Sequence, residues 1–263
     1  FNVEEYWSIS SIFLKNNNEN FSAKLFVLDS KKLAKMDLKS EDDANQALDK
    51  IRKSSFNISK IETKRVKRNP LAPFTTSTLQ QEASNKLGFG ASRTMRIAQK
   101  LYEGINIGNE TTGLITYMRT DGVQLSSQAI DELRNEITNR HGKDYIPQTP
   151  RVYKSKAANA QEAHEAIRPT SISRDPENMS QYLDNEQLKL YELIWKRTIS
   201  SQMQSAELDE TAADISNKDM SIIFRDNGSQ VYFPGFFVYR DREDDKMLPK
   251  VVENEDVDLE KAD

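Results

Sequence analysis

The stretch FNISKIETKRVKRNPLAPF (56–74) changes character partway along, and that change sets the architecture of the chain. From Phe56 to Val66 apolar and polar residues alternate, the period of a half-buried strand. Pro70 and Pro73 end the pattern, because proline brings no N–H to a ladder. Beyond them Thr75 to Leu87, Ser92 to Ile105, Ser126 to Arg140 and Asp184 to Met203 carry apolar residues at helical spacing. On the N-terminal side, Tyr6 to Phe26 alternates around Asn16-Asn17-Asn18 as a hairpin would, and Glu41 to Arg52 reads as a helix with Ser40 as N-cap. After Met203 strands resume at Glu207 to Ile215, Met220 to Phe224 and Val231 to Tyr239, separated by polar turns at Asn217-Lys218-Asp219 and Asn227-Gly228.

A helical block between two β-rich blocks predicts an α+β fold, with a mainly helical domain inserted into a β-rich hinge or gate domain. The predicted boundaries are 1–74 with 204–240 for the β-rich part, 75–203 for the helical part, and 241–263 as an acidic C-terminal segment. Two connections cross the boundary, near Pro70 to Phe74 and near Gln202 to Ser205, and they form a natural hinge pair.

At 263 residues the chain is long enough for more than one core. It has no cysteine, which removes disulfides and thiolate metal sites and permits a cytoplasmic setting. No apolar run approaches the ~20 residues of a membrane span. The chain opens on Phe1 without a methionine or a leader, and reads as part of a longer protein. A net charge of −4 does not point to nucleic acid, but the charge is unevenly spread. Residues 60–100 hold nine basic groups against two acids, and residues 241–263 hold ten acids against four bases.

The segment GLITYMRTDG (113–122) reads as an apolar strand ending in a polar turn. Residues two apart in an extended chain share a face, so Tyr117 and Arg119 project together and Met118 points away. A phenol titrates near ~10 and attacks phosphorus well only where positive charge favours the phenolate and neutralises phosphate oxygens. Arginine keeps its charge and can grip two such oxygens. Taken alone, Tyr-x-Arg is also an ordinary pair of a half-buried tyrosine and a solvated arginine.

Gly88 and Gly90 between two helices could cradle a phosphate, but no nucleotide-loop pattern follows, and a helix C-cap is the commoner use of glycine. Arg93, Arg96 and Lys100 form a basic stripe opposite Met95, Ala98, Leu101 and Tyr102, either a solvated face or a contact for a nucleic-acid backbone. His141 has no constellation around it and reads as structural. One histidine without cysteine or a neighbouring histidine makes His164 a poor zinc ligand. Asp256-Val-Asp258-Leu-Glu260 spells D-x-D-x-E, but in an acidic tail this reads as chance spacing, and no metal site is assigned.

Together, PLAPFTTSTLQQEASNKLGFG (70–90), GLITYMRTDG (113–122) and AQEAHEAIRPT (160–170) closely resemble, in order and spacing, the blocks of bacterial topoisomerase I, a type IA DNA topoisomerase. The resemblance implies that Tyr117 forms a covalent link to the 5′ phosphate of a cleaved single strand. It implies that Arg119 helps position that phosphate, and that His164 contacts it or handles a proton. It extends DNA contact to Arg168, Arg93, Arg96, Lys100, Thr116, Thr120 and Asp121. The implied partners are single-stranded or negatively supercoiled DNA and the remaining domains of the same protein, in a cytoplasmic, nucleoid-associated monomer. The Mg²⁺ of the family belongs to a domain that matches nothing here, so the chain alone is expected not to relax plasmid. The rival readings are a non-catalytic DNA-binding or partner-docking module with Tyr117 in its core, and a tyrosine recombinase or nuclease. The latter bring arginines and histidines around the tyrosine in another order.

Overall fold

A computed structural model describes residues 5–16, 19–154, 165–240 and 252–263. Its elements in chain order are β1 (Ser10–Leu14), β2 (Asn20–Leu28), β3 (Lys31–Lys32), α1 (Glu41–Arg52), β4 (Phe56–Arg68), α2 (Thr76–Leu87), α3 (Ala91–Glu103), β5 (Ile105–Asn106), β6 (Thr111–Thr112), α4 (Ser127–His141), α5 (Pro176–Met179), α6 (Asn185–Ser201), β7 (Ala206–Asn217), β8 (Ile223–Phe233) and β9 (Asp256–Ala262). The fold is α+β, as the sequence predicts. Contacts divide it into two compact units, one of residues 1–67, 207–233 and 242–263, the other of residues 68–206 and 234–241.

The first unit is a sheet in the order β1-β9-β4-β7-β8-β2-β3, and a further β1–β2 pairing joins its two sides into a closed ring of six strands. Closure removes free edges, and the alternating residues fill the inside. Phe13 contacts Phe21, Phe56 and Phe224 with ring centroids 5.9, 5.4 and 5.2 Å apart. Ile51 of α1, Ile58 and Ile215 are fully buried in the same cluster. Helix α1 begins where Ser40 accepts a hydrogen bond from the Asp43 amide, with Glu41, Asp42 and Asp43 in its first turn, where they complement the helix dipole.

Two stretches depart from expectation. Asn227-Gly228 is no turn: both lie inside β8, opposite Ala212 and Thr211 of β7. The dipeptide signals a hairpin only locally, and here a long ladder overrides it. The strand stops at Phe233 because Pro234 has no N–H to donate, and Gly235–Tyr239 turns into a short 3₁₀ segment. Within 241–263, Asp256 to Ala262 is a strand, not simply an acidic tail. It lies between β1 and β4, burying Val257 and Ala262 while Asp256, Asp258 and Glu260 face outward.

The second unit is helical. Thr75 caps α2 in a reciprocal arrangement with Thr78, and Gly88 ends it in the left-handed conformation at φ 66°, the C-cap reading of that glycine. Helices α2, α3, α4 and α6 bury Leu79, Leu101, Leu133, Leu190, Ile194 and Trp195 in one cluster with Phe74, Ile115, Met118 and Ile167. His141 bonds Tyr239 Oη at 2.8 Å and packs on Tyr145, a structural role.

Candidate active site

After α3 the chain makes the short β5–β6 pairing and then crosses the last turn of that helix. The Leu114 amide donates to the Leu101 carbonyl at 2.7 Å. Gly113 passes so close to α3 that a Cβ there would lie 2.5 Å from the Tyr102 carbonyl oxygen. Only glycine fits. Gly113→Ala is expected to destabilise the helical unit by about 1–3 kcal/mol, since backbone must move to admit the methyl; urea unfolding of the variant measures it.

From Leu114 the backbone is not the regular strand predicted, and it bends at Thr116, Met118 and Arg119. It makes one isolated bridge, Ile115 to Pro169, and the ladder goes no further because the Leu114 amide is spent on the Leu101 carbonyl and the Arg168 amide on the Thr116 hydroxyl. Threonines replace the ladder. The Thr116 amide donates to the Arg168 carbonyl at 2.9 Å, and its hydroxyl donates to the Ala166 carbonyl at 2.7 Å while accepting the Arg168 amide at 3.0 Å. On the other side, Thr76 at the start of α2 donates its hydroxyl to the Met118 carbonyl at 2.7 Å, and the same oxygen accepts the Thr120 amide at 2.9 Å. The Thr76 amide donates to the Thr120 carbonyl at 2.9 Å. Phe74 accepts the Ile167 amide at 2.8 Å. The three sequence blocks therefore meet in one hydrogen-bonded assembly.

Held on both sides, the segment alternates sharply. Met118 is 1% exposed and Thr120 8%, whereas Tyr117 is 42% exposed and Arg119 lies on the surface with it. Among the described residues no carboxylate pairs with Arg119 and no group bonds the Tyr117 hydroxyl. Among those residues both groups keep their hydrogen-bonding capacity for an incoming anion. A phenol oxygen and a guanidinium two residues apart can engage one phosphodiester, the first as nucleophile and the second as a clamp on its non-bridging oxygens.

The other sequence-predicted residues divide. Thr116 and Thr120 spend their hydroxyls inside the assembly, Thr120 accepting the Gly122 amide at 3.0 Å. The Arg168 guanidinium donates to Glu165 at 3.1 and 2.8 Å and to the Pro169 carbonyl at 2.9 Å. Burial alone would raise the Glu165 carboxyl, but hydrogen bonds from Ser126 and the charge of Arg168 outweigh it and hold it below its ordinary value. Asp121 is exposed. Arg93 pairs with Glu186, whose carboxyl is lowered first by that hydrogen bond and further by the charges of Arg93, Arg96 and Lys100. Arg96 and Lys100 are exposed on the same helix. His164 lies outside the described residues.

Tyr102, grouped from sequence with Met95, Ala98 and Leu101 opposite the basic stripe, is 40% exposed and meets the Tyr117 ring edge-on at 5.4 Å. Leu101 takes the buried position, and one residue further along a helix turns the side chain by about 100°. Thr76 and Gly113 also went unread. Thr76 is masked in the sequence by the capping threonines around it, and a glycine close contact leaves no local signal.

Among the described residues, no three His, Cys, Asp or Glu side chains are grouped so as to hold a metal ion, and no helix is long and apolar enough to cross a membrane.

A family model described as DNA topoisomerase matches residues 1–263. The chain is 50% identical over 262 residues to the DNA topoisomerase 1 of Rickettsia bellii, covering 97% of this chain and 33% of that protein. It is 45% identical over 275 residues to the DNA topoisomerase 1 of Xylella fastidiosa strain Temecula1, covering 99% of this chain and 34% of that protein. Among solved structures, full-length topoisomerase I from Thermotoga maritima superimposes with a TM-score of 0.76 at 32% identity, over 98% of this chain and 40% of that one. The chain thus spans about a third of the length of the curated relatives it matches.

Proposed function

The chain belongs to the DNA topoisomerase family, and from this premise we propose that it is the strand-cleaving portion of a bacterial type IA enzyme, with Tyr117 as its nucleophile. One observation carries the reading: Tyr117 and Arg119 are both exposed, two residues apart, on a backbone that Thr76 and Thr116 hold on both sides. A core tyrosine, which the docking-module reading requires, would be buried.

On this reading the Tyr117 oxygen attacks the phosphorus of a single-stranded segment as its proton leaves. A Tyr–O–P bond to the 5′ phosphate forms, the bond to the 3′ oxygen breaks, and that oxygen departs as a hydroxyl after taking a proton. Arg119 neutralises the non-bridging oxygens as negative charge gathers on them. Because the new phosphodiester conserves the energy of the old one, the 3′ hydroxyl can reverse the step without ATP. Between cleavage and resealing the other strand passes, which relaxes negative supercoils. His164 would assist at the phosphate. Arg96 and Lys100, and Arg93 once released from Glu186, would hold the DNA backbone, with Arg168 and Asp121 at the margin of the same surface.

The Mg²⁺ that the family implies does not fit the described residues, which group no suitable ligands, and no step here runs through it. We assign it to segments of the relatives outside this chain. The setting is the bacterial cytoplasm, with the protein a monomer on chromosomal DNA.

The polarity of the covalent bond tests the reading. With a single-stranded oligonucleotide and a protein of the relatives' length carrying this chain, a 3′-end label should become attached to protein, and a 5′-end label should appear only in a shortened free strand. Attachment of the 5′ label instead would mean a different chemistry.

A further inference from the structure

Tyr102 has no role in the mechanism above. It lies in the last turn of α3, and its ring meets that of Tyr117 at an interplanar angle of 63° with centroids 5.4 Å apart. Both rings are large and about two-fifths exposed, so each removes part of the other from water. The backbone makes the encounter unavoidable. The Leu114 amide is tied to the Leu101 carbonyl at 2.7 Å, and Gly113 runs against the Tyr102 carbonyl at a distance no side chain would allow. The spacing between residues 102 and 117 is therefore set by main-chain contacts, and the two rings meet as a consequence.

We propose that Tyr102 is a positioning residue for Tyr117, an inference that rests on Tyr117 being the nucleophile. An exposed tyrosine otherwise samples several staggered side-chain rotamers, and only some present its oxygen to a phosphate bound at Arg119. An edge-to-face neighbour favours one orientation of the ring. The nucleophile is then held ready before DNA arrives, and less of the barrier is spent on orienting it. The ring of Tyr102 is what matters, and its hydroxyl is dispensable.

The test compares single-turnover cleavage of a single-stranded oligonucleotide by the wild-type protein at the relatives' length and by its Tyr102→Ala, Tyr102→Phe and Tyr117→Phe variants. Tyr102→Ala should slow cleavage by about 3–10-fold, the scale of one aromatic pair expressed as a rate. Its affinity for the oligonucleotide and its melting temperature should stay at wild-type values, and Tyr102→Phe should restore the rate. A wild-type rate in Tyr102→Ala overturns the proposal. So does an equal loss of affinity, which would make the ring a DNA contact, or a Tyr102→Phe variant as slow as Tyr102→Ala. Wild-type cleavage by Tyr117→Phe would remove the nucleophile itself, a failure separable from the others.

Discussion

Replacing Tyr117 by phenylalanine is expected to abolish covalent capture of single-stranded DNA, with cleavage falling at least about a thousandfold, to background, because no atom is left to attack the phosphorus. The change is confined to chemistry. Among the described residues nothing bonds the Tyr117 hydroxyl, and the ring that stays behind keeps its edge-to-face contact with Tyr102. Stability should therefore move by no more than about 0.5 kcal/mol, the usual range for a surface substitution away from special features. Affinity for single-stranded DNA should also persist, since Arg119, Arg96 and Lys100 remain exposed. Loss of the adduct with intact binding and intact melting is the signature of a missing nucleophile, and labelled oligonucleotide trapping beside a binding titration reads all three. If Tyr117→Phe still traps DNA, another residue forms the bond. If it loses binding and adduct together, Tyr117 holds DNA and does not cut it.

Much of this site was legible because its geometry is local. Alternation alone predicts Tyr117 and Arg119 turned outward and Met118 inward, and the exposure of the first two and the burial of the third follow that pattern although the predicted strand is absent and the backbone bends. The threonine clamps could not be read. Thr76 reaches Met118 and Thr120 across more than forty positions, and Thr116 reaches Ala166 and Arg168 across about fifty. Nothing in the sequence around either threonine announces a partner so distant. The same long reach misled the reading of Asn227-Gly228, where a turn-forming pair is held straight by its ladder to Ala212 and Thr211. Charge misled the reading of 256–262, because outward-facing acids hid the alternation that turns Val257 and Leu259 toward the core. The chemistry itself came from the resemblance of three blocks: composition, charge and the Tyr-x-Arg spacing were compatible with it but did not single it out.

Phe74→Ala should produce the largest loss of stability of any substitution considered, and it tests whether the site depends on the core beneath it. Phe74 is fully buried in the cluster that includes Leu79, Ile115, Ile167 and Trp195. Removing a phenylalanine side chain from such a place costs about 3–5 kcal/mol through lost burial and the cavity left behind. Here a second contribution adds to the first. The Arg197 guanidinium lies over the Phe74 ring at 4.4 Å and donates to Glu82 at 2.8 Å, and its Nε has no hydrogen-bond partner among the described residues. Burial pulls the Arg197 pKa below its ordinary value despite the nearby Glu82, so this cation is already poorly solvated, and the ring face is what compensates it. Alanine would leave it facing a void. Against a typical total of about 5–15 kcal/mol for a domain, the loss takes the helical unit close to unfolding. Trp195, 2% exposed in the same cluster, reports it by fluorescence in urea, with Trp7 of the other unit replaced by phenylalanine to leave one signal. Phe74→Leu, which fills most of the space but offers no ring face, should fall between wild type and Phe74→Ala. If it matches wild type, the contact with Arg197 contributes nothing. Cleavage should decline with stability in this pair, because the Phe74 carbonyl anchors Ile167, and Ile167 lies between the two residues that Thr116 grips beside Tyr117.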